Sequence, residues 1–295
     1  MTQLIQNEFL QPGSAHRLGI SRTLFYGLYL MQLWLIDPTP YGEVPAEFWK
    51  PPLLLTSFPA PTPDLFFAVT VLLKIALIFS AVGFLSRCSS IIVALTGTFI
   101  YGVASGYGYQ DFRLSPVVLI SWILAVAPIG DAFSADSWLR QKPIQRNRVD
   151  YYWPIRLAQI VLVALMCTAG LRKIQGDWLA NPAGCMKSFI MYKFYAQVNE
   201  KVDVLPQYVL TIAENHWLLT LSAIVVVICE FGSPLAIPRR WMCIRGIMIG
   251  GLFAMQLVLA VVFKTLPTFP WLAAYVFWVP WEVLMRRPEN RPELD

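Results

Sequence analysis

The chain has 295 residues, of which 57% are hydrophobic and 14% charged, so it is more apolar than a soluble domain. An ordinary water-soluble globular protein is therefore excluded. The net charge of +5 collects in particular loops and not in one stripe, which argues against nucleic acid as a partner.

Eight apolar stretches predict membrane-spanning helices, because a span needs roughly 20 mostly apolar residues. The backbone in lipid must satisfy its own hydrogen bonds, so we expect an all-α polytopic bundle. The fourth stretch is short, with Pro128 near its end, and the eighth carries Pro270 and Pro280, so seven spans is the alternative count. The stretches lie at about 18–36, 65–86, 89–107, 114–130, 153–172, 216–237, 244–264 and 268–285.

Basic residues occur in alternate connections, which predicts the orientation of the bundle. The other connections are acidic or nearly uncharged. Both termini are therefore expected in the cytoplasm, with a single transmembrane domain over residues 1–295 in the plasma (inner) membrane. The basic residues of the inner segments are Arg87, Arg140, Lys142, Arg146, Arg148, Arg239, Arg240, Arg245, Arg286, Arg287 and Arg291.

One outer connection, residues 173–215, is much longer than the others and mixes charged and aromatic residues. Long loops are often functional. Within it, Met186–Val204 is expected to contain an amphipathic helix on the membrane surface.

Charged residues inside the apolar stretches are costly in lipid, so each needs a partner or a role. Lys74 lies near the middle of the second stretch, and Glu230 lies past the middle of the sixth. Glu230 is a natural partner for Lys74 or for an arginine, and a structural ion pair is the favoured interpretation of both residues. A direct functional role is the alternative. Arg22 and Arg156 open their stretches at the inner side, where they are expected to extend to the headgroups.

Lys173 closes the fifth stretch, directly after the small residues of 168–170, which allow a neighbouring helix to approach closely. Lys173 and Asp177 share a face if the helix continues. Lost hydration would favour the neutral amine, which can act as a base. Alternatively, Arg172 and Lys173 extend outward beside a membrane-surface Trp178. Gln159 is expected to hydrogen-bond a neighbouring helix.

The motifs around this lysine resemble the HTTM (horizontally transferred transmembrane) domain, which is shared with vitamin K-dependent gamma-carboxylases. The core signature is carried by residues 152–159, 168–173 and 176–178. Weaker resemblance is found at 17–22, 82–87, 127–136 and 230–234.

The resemblance implies an eight-span bundle with a site near the outer face. In the carboxylases, oxygen and a reduced quinone generate a base that removes a proton from a glutamate side chain. Lys173 matches the family's key lysine, which implies that it deprotonates a reduced quinone-like cofactor. The other residues expected to bind the substrate or quinone are Lys74, Arg113, Arg172, Asp177, Trp178 and Glu230.

The sequence also departs from the carboxylases. Residues 109–114 lack the histidine found near the start of the fourth span, and Arg113 can supply a charge but not a base. The long lumenal portion that binds a protein substrate is missing as well. We therefore expect a smaller reaction on a quinone-like lipid or a short peptide.

Two alternatives remain open besides this enzyme. The first is a non-catalytic scaffold or accessory subunit that assembles with lipids and other membrane proteins. The second is a small-molecule transporter, which is less favoured because no symmetric pair of broken helices is visible.

Overall fold

The computed structural model describes residues 9, 11–51, 59–107, 114–140, 148–197, 207–238, 240–262 and 269–284. Every regular element within these ranges is a helix, which confirms the predicted all-α class for the described part of the chain. The chain packs as two compact units, one formed by Met1–Val161 with Phe269–Asp295 and the other by Leu162–Thr268. The expectation of one transmembrane domain stays a prediction.

The first unit contains the apolar helices of the N-terminal half and the C-terminal segment. Thr62 caps the second of these helices by accepting a hydrogen bond from the Leu65 amide, and Gly83, at φ +79°, ends it. The helices are α1 (Ala15–Leu35), α2 (Pro63–Val82), α3 (Ser86–Gly106), α4 (Ser115–Val126), α5 (Ala135–Leu139), the first part of α6 (Trp153–Gln175), α11 (Phe269–Tyr275) and α12 (Trp281–Leu284).

The second unit contains the rest of α6, together with α7 (Pro182–Gln197), α8 (Gln207–Glu214), α9 (His216–Phe231) and α10 (Met242–Val262). Helices α8 and α9 meet at an angle of 83°. The Asn215 side chain caps the start of α9 by accepting a hydrogen bond from the Leu218 amide.

In the part of the chain that the structure describes, three helices are long and apolar enough to cross a membrane, or four if the bent α8–α9 pair counts as one span. The three are Pro63–Val82, Ser86–Gly106 and Val149–Gln175. The count of eight spans and the orientation therefore stay predictions. The fourth stretch ends as a helix at Val126, before Pro128. The eighth is broken into α11, a short 3₁₀ segment (Val276–Trp278) and α12.

The expectation that Arg22 and Arg156 extend to the headgroups is wrong, because both side chains are fully buried. Arg22 donates to the backbone carbonyls of Ile129 (2.8 Å) and Phe133 (2.7 Å), so its charge is satisfied inside the first unit. Arg156 donates to Gln159 Oε1 at 3.2 Å.

Gln159 in turn donates to the Phe277 carbonyl at 2.9 Å, which confirms the predicted hydrogen bond to a neighbouring helical segment. The two residues are 118 positions apart in the chain. This bond therefore ties the start of α6 to the C-terminal segment of the first unit.

Candidate functional site

The small residues before Lys173 form a close helix crossing in the second unit, as their sequence predicts. A Cβ added at Gly170 would overlap the backbone of Glu230 and Phe231, so a larger residue there would force the two helices apart. The Cys167 thiol lies 3.9 Å from the Phe231 carbonyl, and the Ser233 hydroxyl donates to the Val163 carbonyl at 3.1 Å. The C-terminal end of α9 therefore runs directly against the last three turns of α6.

This crossing brings the Lys173 ammonium into a salt bridge and hydrogen bond with the Glu230 carboxylate, 57 residues away. The Lys173 side chain is 19% exposed and the Glu230 side chain is 7% exposed. The pair is therefore mostly buried, and the lysine is its more accessible member. The expectation that Glu230 pairs with Lys74 or with an arginine is wrong.

An aromatic ring completes the surroundings of the pair. Lys173 Nζ lies 5.3 Å from the centroid of the Trp178 ring, which favours a cation over the ring face. The Trp178 ring packs edge-on against Phe189 of α7, with centroids 6.3 Å apart. Both rings pack on a cluster of buried side chains contributed by α7, α8 and α9: Ala183, Met186, Ile190, Val209, Leu219 and Ala223.

The condition under which Lys173 and Asp177 would share a helix face is not met. Helix α6 ends at Gln175, before a full further turn, and Asp177 is exposed. Arg172 is also exposed. Among the described residues expected around Lys173, the two with a contact to its ammonium are Trp178 and Glu230.

Lys74 has a separate partner in the first unit. Its Nζ lies 3.5 Å from Asp37 Oδ1 and 5.5 Å from the centroid of the Trp34 ring. Burial opposes ionisation of Asp37, but hydrogen bonds from Thr39 and the charge of Lys74 outweigh it and lower the pKa of that carboxyl. Arg113, the remaining predicted site residue, lies outside the described residues.

Glu230 is the residue whose partner the sequence did not identify. The sequence does contain an indication of this pair, because Lys173 and Glu230 carry opposite charges in neighbouring apolar stretches. Straight spans, however, would place Lys173 at the outer end of its helix and Glu230 past the middle of its own. The two residues were therefore expected at different depths. The structure joins them at the C-terminal end of α9, where Glu230 contacts Lys173 and Phe231 contacts Cys167.

The expected helix within Met186–Val204 is present as α7, as far as the described residues reach. Its buried side chains, which include Met186 and Ile190, pack within the second unit. Its position on a membrane surface stays a prediction.

A family model described as the HTTM domain matches residues 10–276, a range that includes Lys173, Trp178 and Glu230. The search of curated proteins found no match, and the search of solved structures found none either.

Proposed function

Because the chain belongs to the HTTM domain family, we propose that this membrane protein is an enzyme whose Lys173 amine accepts a proton from a lipid-soluble hydroxyl compound of the reduced-quinone class. The observation that carries the proposal is the Lys173–Glu230 pair, withdrawn between two helices but open on the lysine side. The plasma (inner) membrane is the location we propose for it.

A buried ion pair is poor evidence for a purely structural role, because removing two charges from water costs several kcal/mol per ion. Apolar side chains of similar volume often stabilise such a position as well or better. Ionisable groups within apolar helices are therefore functional candidates by default. Here the pair lies at a crossing where Gly170 already allows close apolar packing.

The two side chains together can hold and release one proton. The Glu230 carboxylate can take a proton from the Lys173 ammonium along their hydrogen bond, which leaves a neutral amine. Nζ can then accept the proton of a substrate hydroxyl, and the electron pair of the broken O–H bond stays on the substrate oxygen. The pair thus gains one proton, and Glu230 positions the amine throughout.

The residues around the amine fit a reduced quinone. Trp178 and Phe189 supply aromatic surface against which a planar apolar ring can pack. When bound, such a molecule would supply the acidic hydroxyl and the reducing equivalents that lead to epoxidation or carboxylation chemistry. A short peptide is the alternative proton donor at the same amine.

A second function, a non-catalytic scaffold or accessory subunit, is favoured by a different aspect of the same geometry. Glu230 already neutralises Lys173, and the close contact of Gly170 with Phe231 fixes α6 against α9. A scaffold needs the opposite charges of the pair but not a transferable proton. The two functions therefore differ in whether arginine can replace Lys173.

The direct test is to identify what the purified protein retains. The protein is extracted in mild detergent, and the bound small molecules are identified by mass spectrometry of an organic extract. The wild type is compared with Lys173→Ala and with Lys187→Ala, which removes an exposed lysine from α7 of the same unit.

We expect a hydroxyl-bearing lipid-soluble molecule in the wild type and in Lys187→Ala, and roughly tenfold less in Lys173→Ala, the loss of about one charge-assisted hydrogen bond. Equal extracts from all three proteins would remove the enzyme proposal and leave the scaffold.

A further inference from the structure

The first unit contains a cleft at one end of two of its long apolar helices, α2 and α3. It has a volume of about 490 Å³ and is formed by the start of α3, the turn Ala127–Asp131 and the segment around α5. Helices α2 and α3 have 20 and 21 residues, each roughly 30 Å long, which matches the hydrocarbon thickness of a bilayer. With both helices placed across a bilayer, the turn that joins them and the cleft beside it would lie at a membrane surface.

Both carboxylates that line this cleft already have hydrogen-bonding partners, whereas one of its arginines has no carboxylate partner among the described residues. The Asp136 carboxylate accepts from the amides of Leu85 and Ser86, both at 2.8 Å. Asp131 pairs with Arg140 at 3.3 Å and accepts from the Tyr151 hydroxyl at 3.1 Å. Arg87 is exposed and has no carboxylate within ion-pair distance among the described residues.

The rim of the cleft is apolar. Three of its lining side chains are large, hydrophobic and more than half exposed: Leu85, Val126 and Leu139. Phe133 and Trp138, which are also more than half exposed, belong to the neighbouring segment around α5. Leu85 (φ +45°) and Phe133 (φ +51°) have left-handed backbones, which large side chains rarely adopt. The hydrogen bond from the buried Arg22 to the Phe133 carbonyl anchors one of them.

An unpaired guanidinium behind a rim of exposed apolar side chains, at the level of a membrane surface, is the arrangement that suits an anionic phospholipid. The geometry points to a binding site for the phosphate of an anionic phospholipid headgroup, held by Arg87, with its acyl chains against the apolar rim. Arg140 lines the same cleft and adds positive charge at its edge, offset by Asp131. The site is independent of the Lys173–Glu230 pair and of the function proposed for it.

A cysteine inside the cleft allows the site to be tested directly. Cys88 lines the cleft and is an exposed free thiol, whereas Cys243, also exposed and free, belongs to the second unit. The full chain is placed in nanodiscs of phosphatidylcholine alone or of phosphatidylcholine with phosphatidylglycerol. The rates at which N-ethylmaleimide modifies the two thiols are then measured by peptide mass spectrometry.

Phosphatidylglycerol is expected to slow modification of Cys88 by at least about threefold relative to Cys243. Arg87→Gln should abolish this protection, Arg87→Lys should keep most of it, and Arg240→Gln, which removes an exposed arginine elsewhere, should not change it. Protection should also weaken in high salt, because the contact is electrostatic.

The proposal is overturned if Cys88 of the wild type reacts at the same rate in both kinds of nanodisc. It is also overturned if phosphatidylglycerol protects Cys88 of the Arg87→Gln variant as strongly as it protects Cys88 of the wild type. Inorganic phosphate added to phosphatidylcholine nanodiscs is the third arm. If it protects Cys88 as strongly as phosphatidylglycerol does, the site binds soluble phosphate and the lipid assignment is wrong.

Discussion

At the scale of single residues, the charges inside the apolar helices divide into those with backbone partners and those with side-chain partners. Arg22 donates to backbone carbonyls and is a structural residue. The charges of Lys173 and Glu230 neutralise each other, and both side chains are mostly buried. The sequence identifies all three as costly in lipid, but a partner from a distant part of the chain cannot be read from one helix.

This mutual dependence predicts a specific pattern of stabilities. Lys173→Met or Glu230→Met leaves one buried charge without its partner and should lower the free energy of unfolding by about 3 kcal/mol. The double variant, which restores an apolar contact of similar volume, should be closer to the wild type than either single variant. Unfolding of the purified proteins in detergent measures all four, and additive losses would show that the residues do not interact.

At the scale of elements, the close approach of α6 and α9 depends on the absence of a side chain at Gly170. Gly170→Ala would push against the backbone of Phe231 and should destabilise the protein by about 2 kcal/mol. Gly246→Ala is the matched control, because nothing lies within 4 Å of a Cβ there and alanine favours a helix by up to about 1 kcal/mol. Similar unfolding temperatures for the two variants would contradict the close approach of α6 and α9 at Gly170.

The start of α3 is held by a carboxylate from another element, which makes its stability depend on pH. Burial opposes ionisation of Asp136, but hydrogen bonds from Ser86 and Leu85 and the charge of Arg140 outweigh it and lower the pKa of that carboxyl. Its contribution is therefore complete above the ordinary carboxyl pKa of about 3.9 and is lost as the pH falls through the lowered value.

At neutral pH, Asp136→Asn should cost about 1 kcal/mol, the usual value of a helix cap. The difference in stability between the wild type and this variant should become smaller as the solution is acidified. Unfolding temperatures measured across the acid range test this, and a constant difference down to the most acidic condition would rule out the carboxylate cap.

Helix positions were the most predictable property of this chain. The second and third stretches differ from α2 and α3 by only a few residues, because a run of apolar residues defines a helix and Gly83 defines a turn. The 83° bend between α8 and α9 was not predicted, since its apolar residues continue on both sides of Asn215. The partner of Glu230 was misjudged because the pattern of one helix does not show which distant residue its end will contact.

At the scale of the whole molecule, the distribution of arginine predicts which ends of the helices face the cytoplasm. Cys88 and Cys243 lie beside two of the predicted inner connections and are both exposed. In intact cells, neither should react with a membrane-impermeant maleimide, and both should react once the membrane is permeabilised. Labelling of either cysteine from outside intact cells would reverse or break the predicted orientation.

The central claim is that Lys173 transfers a proton, and the variant that isolates this is Lys173→Arg. Arginine keeps the positive charge opposite Glu230 but does not release its proton in proteins. The measurement is the oxidation of an added reduced naphthoquinone by the protein in nanodiscs, in air-saturated buffer, with protein-free nanodiscs as the background. Unfolding temperatures are recorded alongside.

The wild type is expected to raise the rate above the background, and Lys173→Arg to lose about 100-fold of that increase while it unfolds at nearly the same temperature. A wild type that does not exceed the background, or an arginine variant as active as the wild type, would contradict the account.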